Sequence, residues 1–166
     1  MKKLILLVII STTLSSCFYF NGESEGIGGD PFYSNYDPVV LSRNEFENSI
    51  EILEPMPVIE SSKIYIINDY IFINDKRTGF HIFDNTDSSN PIKKKFLKIP
   101  GATDIAIRNN TLYINQATDL VVLTMDFTAL EINLNKRLKD VFPVLTSPEG
   151  EGYYEGDEVV VNWILK

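Results

Sequence analysis

The chain has 166 residues, 44% of them hydrophobic, with 15 basic and 23 acidic side chains and a formal net charge of −8. That balance repels nucleic acid and anionic lipid headgroups, so neither is an expected partner of the folded surface. The hydrophobic content suits a domain with a real core and excludes a wholly disordered chain.

Met1, Lys2 and Lys3 lead into Leu4-Ile5-Leu6-Leu7-Val8-Ile9-Ile10, a run of seven apolar residues. A basic start, a short apolar run and then small residues is the plan of a secretory signal peptide. The run falls well short of the ~20 residues that span a bilayer. Cys17 is the one cysteine in the chain. It makes no internal disulfide, and an odd cysteine in an exported protein calls for another role. Leu14-Ser15-Ser16-Cys17 resembles the bacterial lipobox. The resemblance implies cleavage before Cys17, acyl chains (palmitate among them) on that residue, and a lipid bilayer as partner. The expected location is that of an outer membrane lipoprotein, surface-exposed or periplasm-facing. Several acyl chains, at ~0.8 kcal/mol per buried methylene, make the attachment lasting. Cleavage leaves residues 17–166, and losing Lys2 and Lys3 takes the formal charge to −10.

Residues 17–38 read as the lipidated cysteine and a flexible tether, rich in glycine and acids and interrupted by Pro31 and Pro38. Residues 39–62 read as a leader. Ser42 and Glu45 have capping-box spacing, and Phe46, Ile50 and Leu53 fall on one helical face before Pro55 and Pro57. A short helix over this stretch is expected.

From residue 63 the pattern changes to alternating β-branched and aromatic residues. Ile64-Tyr65-Ile66-Ile67, Asn68-Asp69 and Tyr70-Ile71-Phe72-Ile73 spell a hairpin with a two-residue turn. Phe80-His81-Ile82-Phe83 gives a third strand and Lys95-Phe96-Leu97-Lys98-Ile99 a fourth, its lysines suited to a sheet edge. The same units then recur. Ile105-Ala106-Ile107, Asn109-Asn110 and Leu112-Tyr113-Ile114-Asn115 follow their counterparts by 41 residues, and Leu120-Val121-Val122-Leu123 follows Phe80 to Phe83 by 40. A period near 40 with several strands per unit is typical of propeller blades.

Leu120-Val121-Val122-Leu123-Thr124 resembles the motif of the LVIVD-repeat β-propellers, and Phe80 to Asp84 fits it more loosely. Such repeats are similar to those of lipoproteins of the Bacteroidota. The resemblance implies a propeller-type fold and carries over no catalytic residue. The expected fold class is all-β, a partial or incomplete β-propeller of about two visible blades over residues 63–166. Closed propellers have typically four to eight blades. Three arrangements therefore stand open: the front of a longer propeller, a sandwich of blade-like sheets, or a partial propeller completed by another copy. Protein partners or self-association are expected of exposed blade faces.

No residue set has the spacing of a catalytic, metal or cofactor site. His81 is the only histidine, on the strand face opposite Phe80 and Ile82, and lacks companions for zinc. Asp84, Asn85, Asp87, Ser88 and Asn90 offer oxygen ligands without EF-hand order, as turns also do. Glu149, Glu151, Glu155, Asp157 and Glu158 form an acidic stretch near the C-terminus. Tyr153, Tyr154 and Trp163 are the candidate ligand-stacking aromatics. The expected function is a membrane-anchored, non-enzymatic interaction or scaffold module. The alternative is an envelope carbohydrate-binding protein or hydrolase working through loop carboxylates and aromatics.

Overall fold

Asn68 and Asn109 open two tight turns with positive φ, 49° and 53°, a conformation asparagine tolerates better than most residues. In the computed structural model, which describes residues 34–150, 152–153 and 156–166, each turn joins two antiparallel strands. These are β3 (Ser61–Ile67) with β4 (Tyr70–Asp75), and β7 (Ala102–Arg108) with β8 (Thr111–Gln116). Next come β5 (Gly79–Asp84) beside β4 and β9 (Asp119–Asp126) beside β8. Outside those lie β6 (Ile92–Lys98) and β10 (Glu131–Leu138). Each half is an up-and-down meander of four strands. The bounds of β7 and β8 lie 41 residues after those of β3 and β4, and β9 begins 40 after β5.

Three further strands sit outside the meanders: β1 (Tyr36–Ser42), β2 (Glu51–Leu53) and β11 (Glu158–Leu165). Between the first two lies one short helix, α1 (Arg43–Glu47). The described residues form three antiparallel sheets, none closed: β2-β6-β5-β4-β3, β10-β9-β8-β7 and β1-β11. The fold is all-β, and the compact unit runs from Ser34 to Lys166.

Successive side chains of a strand point to opposite faces. On the two large sheets one face each is apolar and buried. Phe72, Phe80, Ile82 and Leu97 of the first pack against Ile105, Leu112, Ile114, Val121 and Leu123 of the second in one core. A smaller cluster joins Phe46 of α1 to Ala117, Val159 and Val161, with Val39 and Leu41 against it.

The leader departs from expectation in three places. The capping box forms, with Ser42 Oγ accepting from the Glu45 N–H at 3.3 Å and Glu45 Oε2 from the Ser42 N–H at 3.1 Å. The helix nevertheless stops at Glu47 and does not reach Leu53. Asn48 Nδ2 donates to the Asn44 carbonyl at 2.8 Å and Ser49 Oγ to that of Phe46 at 2.8 Å, ending the helix. Ile52 then pairs with Leu97, so β6 is not an edge strand. Its lysines meet acids on and after the added strand, Lys98 with Glu51 at 2.6 Å and Lys95 with Glu54. Finally, β1 begins at Tyr36, inside the stretch expected as tether, because Tyr36 to Ser42 pair with Leu165 to Glu158.

Candidate functional site

The buried charges are committed to structure. Asp119, at the head of β9, has a fully buried carboxylate that accepts from Arg43 Nη2 at 2.6 Å, Arg137 Nη1 at 2.9 Å and the Asp140 N–H at 3.1 Å. Burial pushes the pKa of this acid up, but the bonds from Arg137, Asp140 and Arg43 outweigh it and hold the group below the ordinary carboxylate value. Both guanidiniums also lie over the Phe46 ring, at 5.5 and 5.1 Å from its centroid. The hub thus fixes α1 to β9 and β10.

His81 points to the outer face of the first sheet, where it is fully buried against Phe96 at 4.7 Å between ring centroids. Its Nε2 lies 3.0 Å from Asp75 Oδ2, and its Nδ1 has no hydrogen-bond partner among the described residues. Asp75 also accepts the N–H groups of Ile59 and Glu60, at 2.9 and 2.7 Å. Burial raises its pKa, and these three bonds bring it below the usual value. Residues 54–60 link β2 to β3 and cross this outer face, tied at one end by Asp75 and at the other by Lys93 Nζ on the Met56 carbonyl at 2.8 Å. Beside this strap an apolar cleft of about 430 Å³ lies between the first sheet and the β1–β11 ribbon, lined by Val39, Met56, Phe96 and Val161. Arg77 stands at its wall. Burial lowers its pKa, and among the described residues no carboxylate pairs with it; Asn162 Oδ1 is 3.4 Å away.

The rest of that outer face is open. Ile64 and Ile66 are 63% and 67% exposed, beside half-buried Ile71, Ile73 and Phe83. Register puts them on one surface: Ile64 is opposite Ile73, Ile66 opposite Ile71, and Ile71 opposite Phe83. A contiguous apolar sheet face of this kind is the usual substance of a docking surface.

The residues singled out from sequence do not gather into one site. Cys17 and Tyr154 lie outside the described residues. Tyr153 is half-buried and donates its hydroxyl to Glu158 at 2.8 Å. Trp163 is 9% exposed, and its indole N–H donates to the Leu145 carbonyl at 3.1 Å, so its ring belongs to the packing of β11. In the turn after β5, Asp84 accepts from Thr86 and Asp87 from Ser89, which makes these acids local turn braces. Glu149 accepts from Asn35 Nδ2 at 2.6 Å and from its N–H at 3.0 Å, clasping the start of the fold. Among the described residues no group of three or more His, Cys, Asp or Glu is placed to hold a metal ion, and no helix is long and apolar enough to cross a membrane.

Sequence reasoning missed Asp75, Asp119 and Arg77. A trace of Asp119 was there to read: it is a lone acid at the head of an apolar strand, where the first meander has Gly79. No known protein family, curated protein or solved structure matches this chain.

Proposed function

We propose that the chain is an envelope lipoprotein, acylated at Cys17 and held at the outer membrane, whose domain is a non-enzymatic interaction module built from two propeller-type blades. The observation that carries the interaction reading is the open apolar face of Ile64, Ile66, Ile71, Ile73 and Phe83. Ordering and exposing such a surface costs solvation free energy that only a partner recovers. The blade reading, and with it the likeness to LVIVD repeats, draws support from two meanders of matching length that pack face to face. The non-enzymatic reading draws on the spending of the buried Asp75, His81 and Asp119 on scaffold bonds.

The anchoring is tested by growing cells with labelled palmitate. Label enters the wild-type chain and is absent from Cys17→Ser, which then leaves the membrane fraction; equal labelling of both forms refutes the anchor. A second reading, an envelope protein that binds a ligand, is favoured by Arg77 at the wall of the apolar cleft. Its ligand would combine an apolar body with an acid group. The burial of Trp163 takes that ring away from glycan stacking.

A further inference from the structure

The geometry points to self-assembly: we propose that copies of this chain add head to tail, the open face of the first sheet on one copy receiving the outward face of the second sheet on the next. This deepens the interaction reading above, rests on it, and names the partner.

The argument is one of equivalent positions. Ile64, Ile66, Ile71 and Ile73 lie 41 residues before Ile105, Ile107, Leu112 and Ile114, and Phe83 lies 40 before Leu123. Those later residues are the surface through which the second sheet packs onto the first. The first sheet therefore bears a face of similar pattern, with His81 where the second has Val121, and beyond the 54–60 strap leaves it open, Ile64 and Ile66 being 63% and 67% exposed. The converse also holds. Tyr65, Phe72, Phe80 and Ile82 cover the second sheet within the chain. Their equivalents at 41 or 40 residues further on are Ala106, Tyr113, Leu120 and Val122, which point outward and are exposed or half-buried. One polypeptide thus owns both halves of a contact that it makes once internally.

The charges follow the same rule. Lys63 of the first sheet pairs with Asp104 of the second, again 41 residues on, and the two side chains remain 57% and 51% exposed. Repeating the internal contact between molecules brings Asp104 of one copy to Lys63 of the next, giving an alternating ladder of charge. A contact between unlike faces is heterologous, so it closes into a ring or runs on as a filament.

The test is sedimentation velocity on the full chain carrying Cys17→Ser, which removes the only thiol and with it any disulfide dimer. Over about 1 to 100 μM, the range of modest interfaces, the parent mass rises past that of a dimer. Ile66→Glu and Val122→Glu, each checked for an unchanged melting curve, stay monomeric alone. Mixed together they form a one-to-one dimer and stop there, because only one intact pair of unlike faces remains. A parent that is monomeric throughout overturns the proposal. So do variants that associate like the parent, a mixture that fails to pair, or an Ile66→Glu chain that is destabilised. A monomeric parent whose Ile66→Glu form keeps its melting curve ends self-assembly alone, whereas a destabilised Ile66→Glu chain shows the face to be covered and ends the interaction reading as well.

Discussion

Replacing Asp119 with alanine strips the hub of its one fully buried carboxylate, the one that both guanidiniums share. Arg43 retains Glu47 at 2.6 Å and is about one-fifth exposed, so its loss is cushioned. Arg137 is 7% exposed and, among the described residues, keeps the Phe46 ring and one hydrogen bond, to the Glu47 carbonyl at 3.3 Å, with no carboxylate. Stranding one partner of a buried pair costs about 3–5 kcal/mol. With Arg43 compensated, about 3–4 kcal/mol is expected from the same range. At about 4 °C per kcal/mol for a domain of this size, the Tm falls by about 12–16 °C. Urea unfolding followed by emission of Trp163, the single tryptophan, measures this directly. Adding Arg137→Met to Asp119→Ala removes the stranded charge and recovers part of the loss. A cost below about 1 kcal/mol for the single change would place it among ordinary surface substitutions and refute the hub. The pH dependence has a definite sign. Asp119 is held below the ordinary carboxylate value in the folded state, so the unfolded chain takes up the proton first as the solution is acidified. The stabilisation is present at neutral pH and drains away below about pH 4, the unfolded value. Asp119→Asn flattens that acid slope.

Three more outcomes follow from the same geometry. Asp75→Ala takes the acceptor from the part-buried Ile59 and Glu60 amides and leaves the buried His81 Nε2 unsatisfied, the last at about 1–3 kcal/mol; hydrogen exchange at those two amides speeds up more than at β8 amides. The Tyr65 hydroxyl is pushed up to about 12 by burial first and then by donating to Asp104. Asp104→Asn moves its titration back toward the ordinary tyrosine value, as read by NMR of labelled tyrosine rings. A methyl group on Gly79 would stand 2.0 Å from the Leu97 carbonyl oxygen, so Gly79→Ala forces β5 and β6 apart. Overpacking costs about 1–3 kcal/mol, and thermal unfolding reports it.

What the sequence disclosed was whatever neighbours along the chain decide. The hairpins at Asn68 and Asn109 were readable because a two-residue turn names its own φ. The capping box of Ser42 and Glu45 was readable for the same reason. The side of the strand on which His81 lies followed from alternation alone. Its partner did not, since the bond to Asp75 depends on β4 and β5 lying in register. Arg43 and Asp119 are separated by 76 residues, and no local pattern announces such a pair. The spacing of Phe46, Ile50 and Leu53 fitted a helix as well as it fitted α1 followed by a strand. Two short side-chain bonds from Asn48 and Ser49 decided between them. The lysines of β6 suggested an edge because their acids, Glu51 and Glu54, arrive on and just after a strand too short to be seen in advance.

The pairing of β1 with β11 has a kinetic consequence. Val40 meets Val160, so the first strand of the fold waits for a partner 120 positions downstream. The two meanders are stitched from successive hairpins and need no such wait, since local contacts form fast and distant ones slowly. During synthesis or refolding, the meanders should therefore gain protection first. Tyr36 to Ser42 remain accessible to proteases until the final strand docks, and the ribbon closes last, like the drawstring of a bag.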